Sequence, residues 1–135
     1  MNWNNKKVLV TGGASFIGSH LCEQLVDRGA KVRVAENFSS GERKHLVDID
    51  CEILEGDLLS PEFCDQATKE MEVVFHLAAD HGGRGYIDSH PVECSTNMIL
   101  DGQVFRHAYR NGAEKIIFAS SGCVYPTSAQ MDVTK

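Results

Sequence analysis

The sequence predicts an α/β domain built on a doubly wound parallel sheet, and three observations predict it. Short β-branched and aliphatic runs alternate with helix-length amphipathic segments along the chain. The first of these runs, Lys6–Thr11, breaks at Gly12-Gly13, and a helical pattern starts directly behind the glycines. The residues with chemical potential fall where strands end: Gly12, Glu36, Asp57, Ala78 and Ser121. Strands separated by helices form βαβ units with helices on both sheet faces, and ligands of such sheets sit at the carboxyl ends of the strands.

The elements follow in order. Lys6–Thr11 reads as the first strand because Val8, Leu9 and Val10 make a continuous apolar run of strand length. Phe16–Arg28 reads as a helix with Ile17, Leu21, Leu25 and Val26 on one face and Gly29 as its stop. Lys31–Ala35 is a second strand, followed by the turn-rich loop Glu36-Asn-Phe-Ser-Ser-Gly41. Cys51–Glu55 is a short third strand closed by Gly56-Asp57. In Ser60-Pro61-Glu62, an N-cap serine, a proline at the first helical position and an acid in the first turn mark a helix start. Glu72–His76 is the fourth strand. Residues 78–90 hold three glycines and no clear period, which predicts a loop. Pro91–Asn111 reads as one long helix ended by Gly112, and Lys115–Ala119 as the fifth strand, with a polar loop Ser120–Tyr125 behind it.

Composition sets the class. The chain has 135 residues, 42% of them apolar, which is enough for one domain over residues 1–135. No window approaches the roughly 18 uninterrupted apolar residues of a membrane span. The polar start Met1-Asn-Trp-Asn-Asn-Lys-Lys lacks the apolar core of a signal peptide, so a cytoplasmic protein is expected. A net charge of −6 without a lysine or arginine stripe argues against nucleic acid as a partner. The five cysteines are odd in number and form no C-x-x-C, which fits reduced thiols in a reducing compartment. His76, His81 and His90 match no zinc spacing, so no metal is expected.

The glycine turn carries the strongest functional signal. Gly12, Ser15, Phe16, Ile17 and Gly18 place backbone N–H groups at a helix N-terminus, where a pyrophosphate binds and the helix dipole favours its charge. Glu36 follows Gly18 by 18 positions, at the end of a strand. An acid there accepts from the adenosine ribose hydroxyls and repels a 2′-phosphate, which favours NAD over NADP. For the acid alone, a solvated loop residue is the competing reading. Asp57 has two equal readings, an acceptor for the adenine amino group or an Asx-turn. In Val73–Ala79 a buried strand runs into small residues, so that backbone lies flat against a ligand. His76 there is expected to be a core histidine with a backbone partner. In Ser120–Pro126, hydroxyls and the Cys123 thiol face the space beside a nicotinamide, and Cys123 becomes a proton donor or acceptor if its pKa is lowered. A serine-rich turn closed by Pro126 is the competing reading.

Taken together, these motifs resemble the extended short-chain dehydrogenase/reductase family, the NAD-dependent nucleotide-sugar epimerases and dehydratases with a Rossmann-type sheet. The resemblance rests on Thr11–Leu21, Glu36-Asn37-Phe-Ser-Ser-Gly41, Gly56-Asp57-Leu58, His76-Leu77-Ala78-Ala79, Asn97 and Ser120–Pro126, in the family's order and spacing. It implies that Ser121 polarises a substrate hydroxyl or keto oxygen and that Asn97 supports the active site from the helix before the fifth strand. Residues 78–87 and Cys123–Pro126 are similar to the GDP-mannose 3,5-epimerases and, more distantly, to the GDP-fucose synthases. That likeness implies Cys123 as the group moving protons at sugar carbons, Arg84 directed to a phosphate or hydroxyl, and transient hydride transfer to NAD.

Two departures from the family pattern stand out. Ser15 replaces a glycine, and if its position needs φ > 0 the Cβ costs about 1 kcal/mol and crowds the turn; alternatively its hydroxyl donates to a phosphate. The family's Tyr-x-x-x-Lys is absent, since Tyr86, Tyr109 and Tyr125 are followed four residues on by His90, Ala113 and Ala129. Without that pair no group serves as base for a sugar hydroxyl near neutral pH. The expectation is therefore the cofactor-binding portion of a nucleotide-sugar epimerase or dehydratase, inactive alone and without the substrate domain. The alternative is a non-catalytic dinucleotide-binding module or truncated gene product. The fifth strand, left as a sheet edge, is expected to favour a homodimer.

Overall fold

A computed structural model describes residues 2–121 and 124–126. Five parallel strands, β1 (Lys7–Thr11), β2 (Lys31–Glu36), β3 (Cys51–Glu55), β4 (Val73–His76) and β5 (Lys115–Phe118), form one sheet in the order β3-β2-β1-β4-β5. The helices are α1 (Phe16–Asp27), α2 (Pro61–Thr68), α3 (Arg84–Ser89), α4 (Pro91–Ser95) and α5 (Asn97–Arg110). From β1 the chain builds outward first to β2 and β3, then on the other side to β4 and β5. The order reverses between β1 and β4, and the crevice at their carboxyl ends is where such sheets bind ligands.

Strand periodicity explains the two cores. Along β1, Val8 and Val10 point to one face and pack with Val32, Val34 and Val73 against Cys22 and Leu25 of α1. Leu9 points to the other and packs with Val74 against Cys64 and Ala67 of α2 and Val104 and Ala108 of α5. Both faces of β1 are thus covered, and Val8, Leu9 and Val10 have no exposed surface. Burial of each such side chain stabilises by about 1.5–3 kcal/mol relative to exposure. Ser60 Oγ caps α2 by accepting from the Phe63 N–H at 3.2 Å, with Pro61 in the first turn. At the other end of α2, Arg33 from β2 donates to the Ala67 and Lys69 carbonyls at 3.2 and 2.9 Å.

The structure departs from the sequence reading in four places. Ile17 is 69% exposed, and α1 instead buries Gly18, Ser19, Cys22 and Leu25; the close seat of Gly18 on the Gly12-Gly13 backbone, not apolarity, sets which side of the first turn faces inward. Residues 84–89, expected as loop, form α3. The expected single helix over 91–111 breaks at Thr96 into α4 and α5. There the Ser95 hydroxyl bonds the Val92 carbonyl at 2.7 Å and the Thr96 hydroxyl the Glu93 carbonyl at 2.6 Å, competing locally with the helical ladder. A 3₁₀ turn at Arg43–Leu46, also unforeseen, buries Leu46 beneath α1. Among the described residues β3 and β5 are the sheet edges, and Phe118 on β5 is half exposed. No helix among them is long and apolar enough to cross a membrane.

Candidate cofactor site

The glycine turn is fixed from three sides. Gly12 has φ +70, its N–H donates to the Ala35 carbonyl at 3.0 Å, and a Cβ on it would meet Ala78 N at 3.0 Å and Ala78 Cα at 3.1 Å. A Cβ on Gly18 would overlap the Gly12 carbonyl oxygen. Both positions therefore need glycine. Ser15 does not: it has φ −75 and caps α1, accepting from the Gly18 N–H at 3.1 Å and donating to the Gly12 carbonyl at 2.7 Å. The φ > 0 penalty does not arise, and the hydroxyl is committed within the turn instead of to a phosphate. Ser15→Gly is therefore expected to leave NADH affinity within about twofold, because glycine replaces a serine cap at a cost of a few tenths of a kcal/mol. Affinity that rises severalfold on fluorescence titration would restore the crowding argument. The N–H groups of Phe16 and Ile17 make no hydrogen bond among the described residues, and both residues are exposed at the positive end of α1.

Glu36, at the end of β2, is buried, which sets aside the solvated-acid reading. Its Oε2 accepts from the Ala14 N–H at 3.1 Å, and its Oε1 accepts from Asn37 and Phe38 N–H at 3.1 and 3.2 Å. The carboxylate thus ties the glycine turn to the loop behind β2 and keeps part of its acceptor capacity on Oε2. Beyond that loop, Arg43 lies over the Phe38 ring at 4.0 Å and pairs with Glu55. Asp57 Oδ1 accepts from the Leu59 N–H at 2.8 Å in an Asx-turn, and the residue also faces the cleft described next.

A cleft of about 410 Å³ opens at the carboxyl ends of the strands. Gly12, Ser15, Glu36, Asn37, Asp57, Leu58, Leu77, Ala78 and Ala79, all singled out in the sequence, line it together. Phe16, Ile17, Gly18 and Asn97, also singled out in the sequence, are not among the residues that line it. Asn97 Oδ1 accepts from the Asp80 N–H and its Nδ2 donates to the Asp80 carbonyl, both at 2.7 Å, which fixes the loop after β4. Ser121 follows β5, is exposed and is not among the residues that line the cleft. Cys123 and the Arg84 side chain lie outside the described residues.

Sequence reasoning missed three residues here. Asp80 and Tyr86 line the cleft, and the Tyr86 hydroxyl donates to Asp80 Oδ1 at 2.8 Å while its ring stacks on His90 at 4.2 Å. That hydrogen bond to a carboxylate pushes the Tyr86 phenol up to about 12. The third is Asp101 of α5. His76, expected to have a backbone partner, has two side-chain partners instead: Thr11 Oγ1 lies 2.7 Å from its Nδ1 and Asp101 Oδ1 3.0 Å from its Nε2. The ring is buried against Phe105 and Phe118. Burial holds the imidazole pKa below its ordinary value, and Asp101 partly offsets this. The one signal in the sequence for Asp101 is an acid between Leu100 and Val104 on an otherwise packing face.

Strand order, glycine turn and cleft define a dinucleotide-binding domain of the doubly wound α/β class. The chain belongs to the NAD dependent epimerase/dehydratase family, whose profile matches residues 8–135. It is 35% identical over 133 residues to a GDP-mannose 3,5-epimerase of Arabidopsis thaliana, covering 96% of this chain and 34% of the relative. Among solved structures it is similar to the UDP-N-acetylglucosamine 4-epimerase of Methanobrevibacter ruminantium in complex with UDP-N-acetylmuramic acid, with TM-score 0.83 and 32% identity over 96% of this chain and 42% of that one. It is also similar to the Thermus thermophilus UDP-glucose 4-epimerase in complex with NAD, with TM-score 0.77 and 34% identity over 85% and 37% of the two chains. The chain thus spans about a third of the length of the Arabidopsis relative. NAD is the cofactor of the family.

Proposed function

We propose that this chain holds NAD in the cleft at the β1–β4 switch point and forms the cofactor-binding part of a nucleotide-sugar epimerase or dehydratase, with 3,5-epimerase chemistry on a GDP-sugar as the finer reading. The observation that carries it is the glycine turn, where Gly12 and Gly18 exclude a Cβ and the Phe16 and Ile17 N–H groups at a helix N-terminus have no partner among the described residues. Those two N–H groups take the pyrophosphate. Glu36 accepts from the adenosine ribose and Asp57 from the adenine, while Leu77, Ala78 and Ala79 present backbone along the cofactor. Bound NAD supplies a reversible hydride acceptor for a sugar carbon. Ser121 polarises the sugar oxygen and Cys123 moves the proton at the neighbouring carbon. The exposed edge of β5 is the route by which two copies pair into a homodimer.

The test is fluorescence titration with NADH and NADPH. NADH is expected to bind saturably and at least about tenfold tighter than NADPH, because a buried carboxylate at 36 opposes a 2′-phosphate. Equal affinities would sink the Glu36 assignment, and no saturable binding would sink the cofactor site. In deuterated water, the chain with NAD and GDP-mannose is expected to incorporate no label into the sugar, since no tyrosine here has a lysine four residues on. Label incorporation above background would overturn that expectation.

A further inference from the structure

The polar atoms around His76 form one chain of hydrogen bonds whose direction can be worked out. Thr11 Oγ1 accepts from the Leu77 and Ala78 N–H groups, each at 3.1 Å. A hydroxyl oxygen has two lone pairs, so both are used and its proton points to the remaining neighbour, His76 Nδ1, at 2.7 Å. Nδ1 is then an acceptor, and the neutral ring carries its proton on Nε2, which donates to Asp101 Oδ1 at 3.0 Å. Every link has one donor and one acceptor. With the proton on Nδ1 instead, Thr11 would face three donors with two lone pairs, and the bare Nε2 would face a carboxylate.

We propose that Asp101, which stands on α5 outside the cleft wall, is a positioning residue for the cofactor cleft: by fixing His76 as the Nε2–H tautomer it sets the Thr11 hydroxyl, and through it the Leu77–Ala78 backbone that braces Gly12. The proposal rests on the reading of that cleft as the NAD site. The connection is short, because Ala78 N is the atom a Cβ on Gly12 would strike at 3.0 Å. Movement of Ala78 is therefore movement of the wall against which the glycine turn is set.

Protonation of His76 acts on the same link. An imidazolium donates from both nitrogens, so its Nδ1–H competes with Leu77 or Ala78 for Thr11 Oγ1, and one backbone bond is lost. The groups facing the ring are Thr11 from β1, Asp101 and Phe105 from α5, and Phe118 from β5. Asp101 is the charged one among these described residues. Because burial depresses the His76 pKa in the folded chain, the unfolded chain binds more protons between the two values. The stability this residue contributes is present above about pH 6.5 and is lost as the pH falls below that unfolded value.

The experiment compares the full chain with Asp101→Ala and Asp101→Asn. The position is partly exposed on a helix and tolerates both residues, so both variants are expected to fold. NADH dissociation constants are measured from about pH 5 to 8, the range in which histidine changes charge. Asp101→Ala is expected to bind about five- to tenfold more weakly at neutral pH, a loss within the range of one ordinary hydrogen bond. Its acid limb is expected to move to lower pH, because the carboxylate that favours the imidazolium is gone. Asp101→Asn, whose amide oxygen still accepts from Nε2–H, restores most of the neutral affinity and leaves the limb displaced. Weakening by the same factor at every pH, with the limb unmoved, overturns the proposal. Imidazole ¹H–¹⁵N correlations and hydrogen exchange at Leu77 and Ala78 in the cofactor-free chain keep the two readings apart. An Nδ1–H ring overturns the relay even where NADH binds. An Nε2–H ring, with Leu77 and Ala78 exchanging faster in Asp101→Ala, upholds it even where NADH does not bind and the proposed function fails.

Discussion

Gly18→Ala raises the NADH dissociation constant at least about thirtyfold, a loss of about 2 kcal/mol within the range of overpacking substitutions. The new methyl would overlap the Gly12 carbonyl oxygen and lie 2.8 Å from Gly13 Cα and 2.9 Å from Ser15 Oγ. None of these can retreat freely. The Gly12 carbonyl accepts from the Ser15 hydroxyl and the Ser15 N–H, and Gly12 is itself wedged against Ala78. The turn has to open, which carries the Phe16 and Ile17 N–H groups out of register with a pyrophosphate. Gly102→Ala on α5 is the control, because a Cβ there meets nothing within 4 Å and alanine is the better helix former by about 1 kcal/mol. If Gly18→Ala binds NADH within threefold of the parent, the pyrophosphate does not sit on this turn.

Thr11→Val lowers the melting temperature by about 6–12 °C, the equivalent of about 2–3 kcal/mol for a chain of this size. Valine has nearly the shape of threonine, so packing beneath α2 and α5 changes little. What disappears is one oxygen that serves three partners: the Leu77 and Ala78 N–H groups and His76 Nδ1. Removing an acceptor beside buried donors costs their desolvation without return. Thr11→Ser keeps the hydroxyl and is expected to melt within about 3 °C of the parent, since only a methyl is lost. Equal melting of the valine and serine variants would show that the methyl, not the oxygen, matters at Thr11.

Most of the sheet was legible because its signals are local. The apolar runs at Val8–Val10 and Val73–Phe75 and the capped start at Ser60-Pro61 specify their elements without help from the rest of the chain. The cleft was legible for a related reason: strand ends can be read from sequence, and the topology brings the strand ends together. What escaped depends on partners distant in sequence or on competition between weak local terms. The break at Thr96 comes from three successive polar residues whose side chains bond backbone locally or, for Asn97, reach back to Asp80. Asp101 gains its role from a histidine 25 residues away, and Asp80 gains its role from Asn97 and Tyr86. Ile17 misled because helical period follows apolarity and not the close seat of Gly18 on the Gly12-Gly13 backbone.

The three hydrogen bonds at Glu36 bear on any effort to re-engineer coenzyme preference. Exchanging the acid for a neutral or basic residue is the obvious way to admit a phosphorylated ribose. In this chain that exchange also removes the acceptor shared by Ala14 on the glycine turn and by Asn37 and Phe38 on the neighbouring loop. Under the proposed ribose role of Glu36, selectivity and the order of two loops are therefore one trait at this position. A variant designed to use the other dinucleotide needs a second substitution that supplies an acceptor to Ala14, or it loses affinity for both.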